Sequence, residues 1–334
     1  MVVNINYILR GSCLGWIWMI LFSFQGYSQT CCSGGVPLSG NIGFTGAETG
    51  TLQAELSYDL NYLVTLKDGS EVYQENSRRR ITHSLLLKSG YSITQWLAVD
   101  ALFTYVFQER QVSVLDQTFR VSTRGVGDAV ILPKFTLSSI SSNGHEVQLG
   151  VGLKVPLGRT DLKDERGITL NADLQPGSGS WDMITWTYLA RQFRSRPSMV
   201  VSARVLARFN GTNQEYLGSQ TYQFGRSGQV YLSLGDQLVI GNEIFAPSLS
   251  LRFRGAAPDR INGQELENTG GQWINIIPAL SWHIRQNIIL HLVPEIPLYS
   301  KVNGIQLTPT FRMQVGIYYR FGQKKEDNSK TYIL

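Results

Sequence analysis

The sequence predicts an all-β chain, a transmembrane antiparallel up-and-down β-barrel of about twelve strands. Three observations predict it. Long segments alternate apolar and polar residues with period two, the connections between them alternate between short and long, and the N-terminus carries an export signal.

The export signal comes first in the chain. Arg10 precedes the apolar run LGWIWMILFSF at 14–24, and Gly26-Tyr27-Ser28 places small residues where a signal peptidase reads. That run is shorter than the ~20 apolar residues of a spanning helix, so residues 1–28 read as a cleaved signal peptide. Cleavage removes Cys13 and leaves Cys31 and Cys32 side by side in a segment, 29–50, expected in the periplasm. Two cysteines do not make a disulfide scaffold, and no further ligands at suitable spacing suggest zinc. Charged residues are only 16% of the chain, its formal charge is +5, and its basic residues form no stripe. Nucleic acid is therefore not expected as a partner.

The barrel is expected over 51–322. Residues 52–64 open it, with Leu52, Ala54, Leu56, Tyr58, Leu60, Tyr62 and Val64 on one face and Gln53, Glu55, Ser57, Asp59 and Asn61 on the other. Weaker patterns follow at 80–90, 97–108 and 125–138. Residues 146–157 set Val147, Leu149, Val151, Leu153, Val155 and Leu157 against Glu146, Gln148, Gly150, Gly152 and Lys154. Another weak segment lies at 182–193, and 198–210 sets Met199, Val201, Ala203, Val205, Ala207 and Phe209 against Ser202, Arg204, Arg208 and Asn210. Then come 222–234, 238–252, 272–284 and 288–300. The closing segment, 307–321, sets Leu307, Phe311, Met313, Val315, Ile317, Tyr319 and Phe321 against Thr308, Thr310, Arg312, Gln314 and Arg320. The residues after it, 323–334, form a C-terminal tail.

Short connections are expected near 91–95, 139–145, 194–197, 235–237 and 285–287, with longer ones near 65–79, 109–123, 158–180, 211–221 and 253–271. Short turns on one side and long loops on the other are the pattern of an outer-membrane barrel. A soluble β-sandwich also alternates its faces, but strands of this length and the two-sided loop pattern favour the barrel. Aromatics near strand ends suit the membrane interface, among them Trp96, Trp181, Trp273, Trp282 and Tyr319. Prolines 133, 156, 247, 278, 294, 297 and 309 fall inside expected strands. Each removes a ladder donor, and Pro278 and Pro294 come level if the 285–287 turn is symmetric. Bulges or strand ends are the plain reading, and a wall that opens sideways to lipid is the sharper one.

Three stretches carry a family resemblance: GVGDAVILPKF at 125–135, GVGLKVPLGRTD at 150–161 and GSGSWD at 177–182. Together they resemble the meta-pathway phenol-degradation family of outer-membrane barrels, most clearly over 120–195. The resemblance implies an outer-membrane channel, sometimes associated with the breakdown of aromatic compounds, without naming a substrate.

The chemistry of an enzyme is not expected. Gly-Ser-Gly-Ser-Trp at 177–181 is not a nucleophile elbow, and no histidine stands near it in sequence. His283 and His291 face one another across a turn, and with Glu295 they make the smallest set for a metal, yet no motif supports one. Neither metal nor cofactor is expected. Alternation turns Lys134, Lys154, Arg204, Arg208, Arg252, Arg312 and Arg320 into the lumen, with Asp100, Asp128, Glu146 and Glu295. A basic passage favours anions, whereas a self-paired interior closes it. The expected function is passive passage of small anionic or aromatic molecules. A barrel with a blocked lumen whose loops bind a partner is the alternative, and a membrane-embedded hydrolase is weaker. The expected partners are outer-membrane lipid and, during insertion, the barrel-assembly machinery.

Overall fold

The computed structural model describes residues 43–44, 48–74, 77–114, 117–140 and 144–322. The expected signal peptide, Cys31, Cys32 and the tail lie outside the described residues. Twelve strands form the wall: β1 (Leu52–Asp68), β2 (Arg78–Ser92), β3 (Leu97–Val114), β4 (Ala129–Ser138), β5 (His145–Val155), β6 (Asp182–Gln192), β7 (Val200–Asn210), β8 (Ser227–Gly235), β9 (Glu243–Ala256), β10 (Gly271–Arg285), β11 (Ile288–Val302) and β12 (Ile305–Phe321). Each pairs antiparallel with its chain neighbours, and β12 returns to β1 from Leu52↔Phe321 to Asp68↔Ile305. The sheet is thereby closed into a barrel.

Period-two alternation decides which side chains face where. On β1, Gln53, Glu55, Ser57, Asp59 and Asn61 are buried, while Leu52, Leu56 and Tyr58 are exposed. The same division runs through β2 and β5, where Leu85, Leu87, Leu149, Val151 and Leu153 point outward. On these strands apolar side chains cover the outside and mostly polar ones fill the inside, the reverse of a soluble sandwich. Burial of the outer face needs hydrocarbon, not water.

The loops extend the wall on one side. The 18-residue β3 continues past its partner β4 and pairs with an outer arm, Gln117–Val126. The expected strand at 125–138 is therefore two pieces, divided at Gly127-Asp128. A second correction concerns 235–237, which is not a turn. There β8 is interrupted opposite Pro247, which has no N–H to give, and resumes in the same register as Leu238–Ile240. The hairpin turns instead at Gly241-Asn242, with Gly241 at φ 64°. The long connections 211–226 and 257–270 join one another in a small sheet of Asn213–Tyr216, Gln220–Gln223, Arg260–Ile261 and Gln264–Glu265.

Candidate functional site in the barrel lumen

The charged side chains that alternation turns inward mostly find partners there. Lys88 meets Glu55 at 2.6 Å, Lys134 meets Asp100 at 2.9 Å, and Arg312 meets Asp59 at 2.8 Å. Arg252 pairs with Glu295, and Arg80 reaches Asp173 of the 156–181 loop at 2.8 Å. Taking these charges out of water is costly, and close pairing offsets the cost. Arg204 lies 5.7 Å from the rings of both Tyr188 and Tyr231. Arg208 is buried at the outer end of β7, and Arg320 donates from Nε to the Tyr318 hydroxyl at 3.3 Å.

The expected His283, His291 and Glu295 set is not brought together. His283 is opposite Ile289 and His291 is opposite Ser281, so the two rings are staggered along the wall. Glu295 turns to Arg252, while His291 Nε2 lies 3.4 Å from Glu55. Among the described residues no cluster of three or more histidine, cysteine or acidic side chains is placed to hold a metal. Of the aromatics expected at the membrane interface, Trp96 and Trp181 are exposed at opposite ends of the barrel, and Trp282 faces outward and donates to Glu243 at 2.8 Å. Tyr319 packs on Phe321 with centroids 4.2 Å apart. Trp273 is a correction: it is only 2% exposed and stands inside, under the Arg254 guanidinium at 4.9 Å. It shares the odd positions of β10 with Asn275, whereas Trp282 is on the even, outward ones.

The three motif stretches meet at one point on the long-loop side. Asp128 of GVGD accepts from the Gly158 N–H at 3.1 Å, and from the Ser178 N–H at 3.0 Å and hydroxyl at 2.6 Å. Lys154 lies 3.1 Å from Asp128 and 2.7 Å from Asp182, and also donates to the Ser178 hydroxyl. Asp182 in turn accepts from Ser180 at 2.9 Å and from the Gly211 N–H at 3.1 Å. Gly158 and Gly177 touch backbone to backbone, where a Cβ on either would collide. Ser178 is not a nucleophile in waiting, because the ammonium beside it is committed to two carboxylates. The cluster instead fastens the 156–181 loop over the mouth. That loop buries Leu174 and Gln175, and Thr123 donates to the Leu174 carbonyl at 2.7 Å.

Two further features were not legible as parts of a site. One is an apolar wall within the lumen, where Leu86, Leu102, Val130, Leu132, Ile184, Trp186, Tyr188, Ala190 and Leu206 form a single buried cluster. The other is Phe44. Segment 29–50 is expected in the periplasm, yet Phe44 is inside the barrel. Its N–H donates to Asp100 at 2.8 Å, its carbonyl accepts from Lys134 at 2.5 Å, and its ring lies 4.2 Å from the Lys88 ammonium. Gly43 before it has φ 88°, and a Cβ there would stand 2.6 Å from the Trp186 ring. The only sequence signal is an aromatic residue between glycines, which does not specify a location.

The wall itself is incomplete on one seam. Pairing of β11 with β12 starts at Ile288↔Tyr319 and ends at Glu295↔Arg312. Beyond that point β11 pairs with β10, up to Gly271↔Val302, and β12 pairs with β1. Pro297 and Pro309 lie along this gap and supply no N–H. The gap is bridged at its outer end, where the Val302 N–H reaches the Gly69 carbonyl at 2.9 Å and Lys67 reaches the Ser300 carbonyl at 3.3 Å. Pro278 and Pro294 are level, and the β10–β11 ladder skips from Ile276↔Ile296 to Leu280↔Leu292 around them. The ladder through strands nine to twelve is thus interrupted at these two places.

Solved structures resemble this architecture. An outer-membrane channel from Pseudomonas putida F1 is similar with a TM-score of 0.65 at 15% identity, over 84% of this chain and 100% of that one. The β domain of the Bordetella autotransporter BrkA is looser, with a TM-score of 0.46 at 12% identity over 82% and 100% of the two chains. Looser still is the Ralstonia pickettii toluene transporter TbuX, with a TM-score of 0.39 at 8% identity over 83% and 90%. The first of these shows the fold, an outer-membrane β-barrel. No protein-family model and no curated protein matches the chain.

Proposed function

We propose that this chain is an outer-membrane channel for passive passage of small molecules, and that its preferred solutes are apolar or aromatic ones that leave the lumen sideways between β11 and β12. The observation that carries the reading is the ladder that stops at Glu295↔Arg312 while both strands continue. A closed barrel leaves no unpaired edge toward lipid, so a run without cross-strand bonds is a place where the wall parts at least cost. Two other features support it. The lumen has an apolar wall that a small ring can contact, and most of its charges already neutralise one another. The motif resemblance at 125–182 points the same way. Lipid of the outer membrane on the outer face, and the assembly machinery during insertion, are the partners this reading implies. Anion selectivity is the second preference, resting on Arg204, Arg208 and Arg254 along β7 and β9.

A blocked barrel that binds partners through its loops is the competing reading, favoured by Phe44 in the lumen and by the loop fastened over the mouth. Two measurements separate them. Ion current in planar bilayers and transfer of a small fluorescent aromatic into liposomes are followed in the full chain. They are then repeated with Leu298→Cys and Leu307→Cys joined by a bismaleimide across the seam. Aromatic transfer that stops on crosslinking while ion current persists supports lateral exit. Unchanged transfer removes the seam from the path, and no flux of any kind removes the channel.

A further inference from the structure

We propose that Arg79, Arg120 and Arg124, on the outer face of the wall at the long-loop side, form a binding site for the phosphate of a glycolipid in the outer leaflet. Cross-strand register places them. Arg79 is opposite Gln111, and Gln111 is opposite Arg120, so these form one row across β2, β3 and the Gln117–Val126 arm. Two rows lower, His83, Phe107 and Arg124 form another. The next row down is Leu85, Tyr105 and Val126, exposed by 48%, 45% and 53%. All these positions alternate with the buried Ser84, Thr104, Gln108 and Thr123 and therefore point away from the lumen. Arg124 thus stands one row above a lipid-facing apolar surface, and Arg79 and Arg120 stand three rows above it on the same face.

The charge balance favours an anion. Within these rows the acid is Glu109, whose Oε1 lies 3.3 Å from Arg120 Nε, and the 60%-exposed Arg120 side chain has donors to spare. Arg79 is steadied by Gln111 Oε1 at 2.8 Å. Arginine suits phosphate because its planar fork makes two parallel hydrogen bonds. A soluble phosphate gains only those bonds. A phosphorylated glycolipid also lays its acyl chains on Leu85, Tyr105 and Val126, which is why the lipid is the assigned source. The site is outside the lumen and does not depend on the transport reading.

The test is native mass spectrometry of the full chain released from detergent with an added phosphorylated glycolipid of the lipid A type, its dephosphorylated form, or inorganic phosphate. The phosphorylated lipid is expected to remain bound, with occupancy falling about fivefold for each of Arg79→Gln, Arg120→Gln and Arg124→Gln. Glu109→Gln is expected to tighten binding, a gain that misfolding does not produce. Heat-dependent gel mobility confirms that each variant is folded. Equal retention of the dephosphorylated lipid, or no loss in the triple variant, overturns the proposal. Displacement of the lipid by inorganic phosphate at millimolar concentration overturns its lipid assignment.

Discussion

Removing the ammonium at the mouth tests how the loop is held. In Lys154→Met the side chain keeps its length but loses its charge. Asp128 and Asp182, 0% and 1% exposed, then face one another across the gap it leaves. Breaking a buried pair by deleting one partner costs about 3–5 kcal/mol, because the remaining charge is uncompensated. Five other donors limit the damage: Ser178 twice, Gly158, Ser180 and Gly211. The expected loss is therefore at the lower end of that range, about 3 kcal/mol at pH 7. Adding Asp128→Asn and Asp182→Asn to Lys154→Met is expected to restore most of the stability, since no buried charge is left. Urea unfolding in liposomes at pH 7, followed by tryptophan fluorescence, measures each variant. A loss under about 1 kcal/mol would refute the claim that this pair bears on the fold.

The remaining predictions concern passage and the loops. Replacing Phe44 with alanine removes the ring beneath Lys88 and should raise single-channel conductance; unchanged current places the constriction elsewhere. Arg204→Glu with Arg208→Glu is expected to shift reversal potentials in a salt gradient toward cations, and no shift takes both residues off the ion path. Asp259 clasps the two long loops, accepting from the Tyr222 hydroxyl at 2.6 Å and the Gly225 N–H at 2.7 Å. Burial, reinforced by the charge of Asp173, pushes its carboxyl up to about 7 despite those donors and the nearby Arg208. A raised carboxyl means the folded clasp holds its proton more tightly than the unfolded loop does. The clasp is therefore firmest near pH 4 and weakens as pH rises to about 7. Hydrogen exchange at 220–223 and 260–265, corrected for intrinsic rates, should show this loosening, and Asp259→Asn should flatten it.

How far the sequence could be read varies along the wall. On β1 and β5 the two faces differ sharply, so strand, face and lumen position follow from the alternation alone. On β4 and β6 they do not. Val130 and Leu132 point in while Ile131 and Phe135 point out, and Ile184 and Trp186 line the lumen opposite Met183 and Leu189. Period two still indicates a strand there, but not which face is inside, and the apolar lumen wall stayed hidden for that reason. Trp273 went astray because it was judged by its place near a strand end, not by its parity with Asn275.

The sequence by itself determined the all-β class and the number of wall strands, because these depend on local periodicity. Even the facing prolines at 278 and 294 follow from counting back from one turn. Only the tertiary structure decided which charge meets which, that three motifs share Asp128, that Phe44 is inside, and that β11 and β12 part beyond Glu295. Those contacts join residues as far apart as Asp59 and Arg312. They are set by the register in which a closed sheet brings its strands around the lumen, and a repeat of two residues carries no information about the opposite wall.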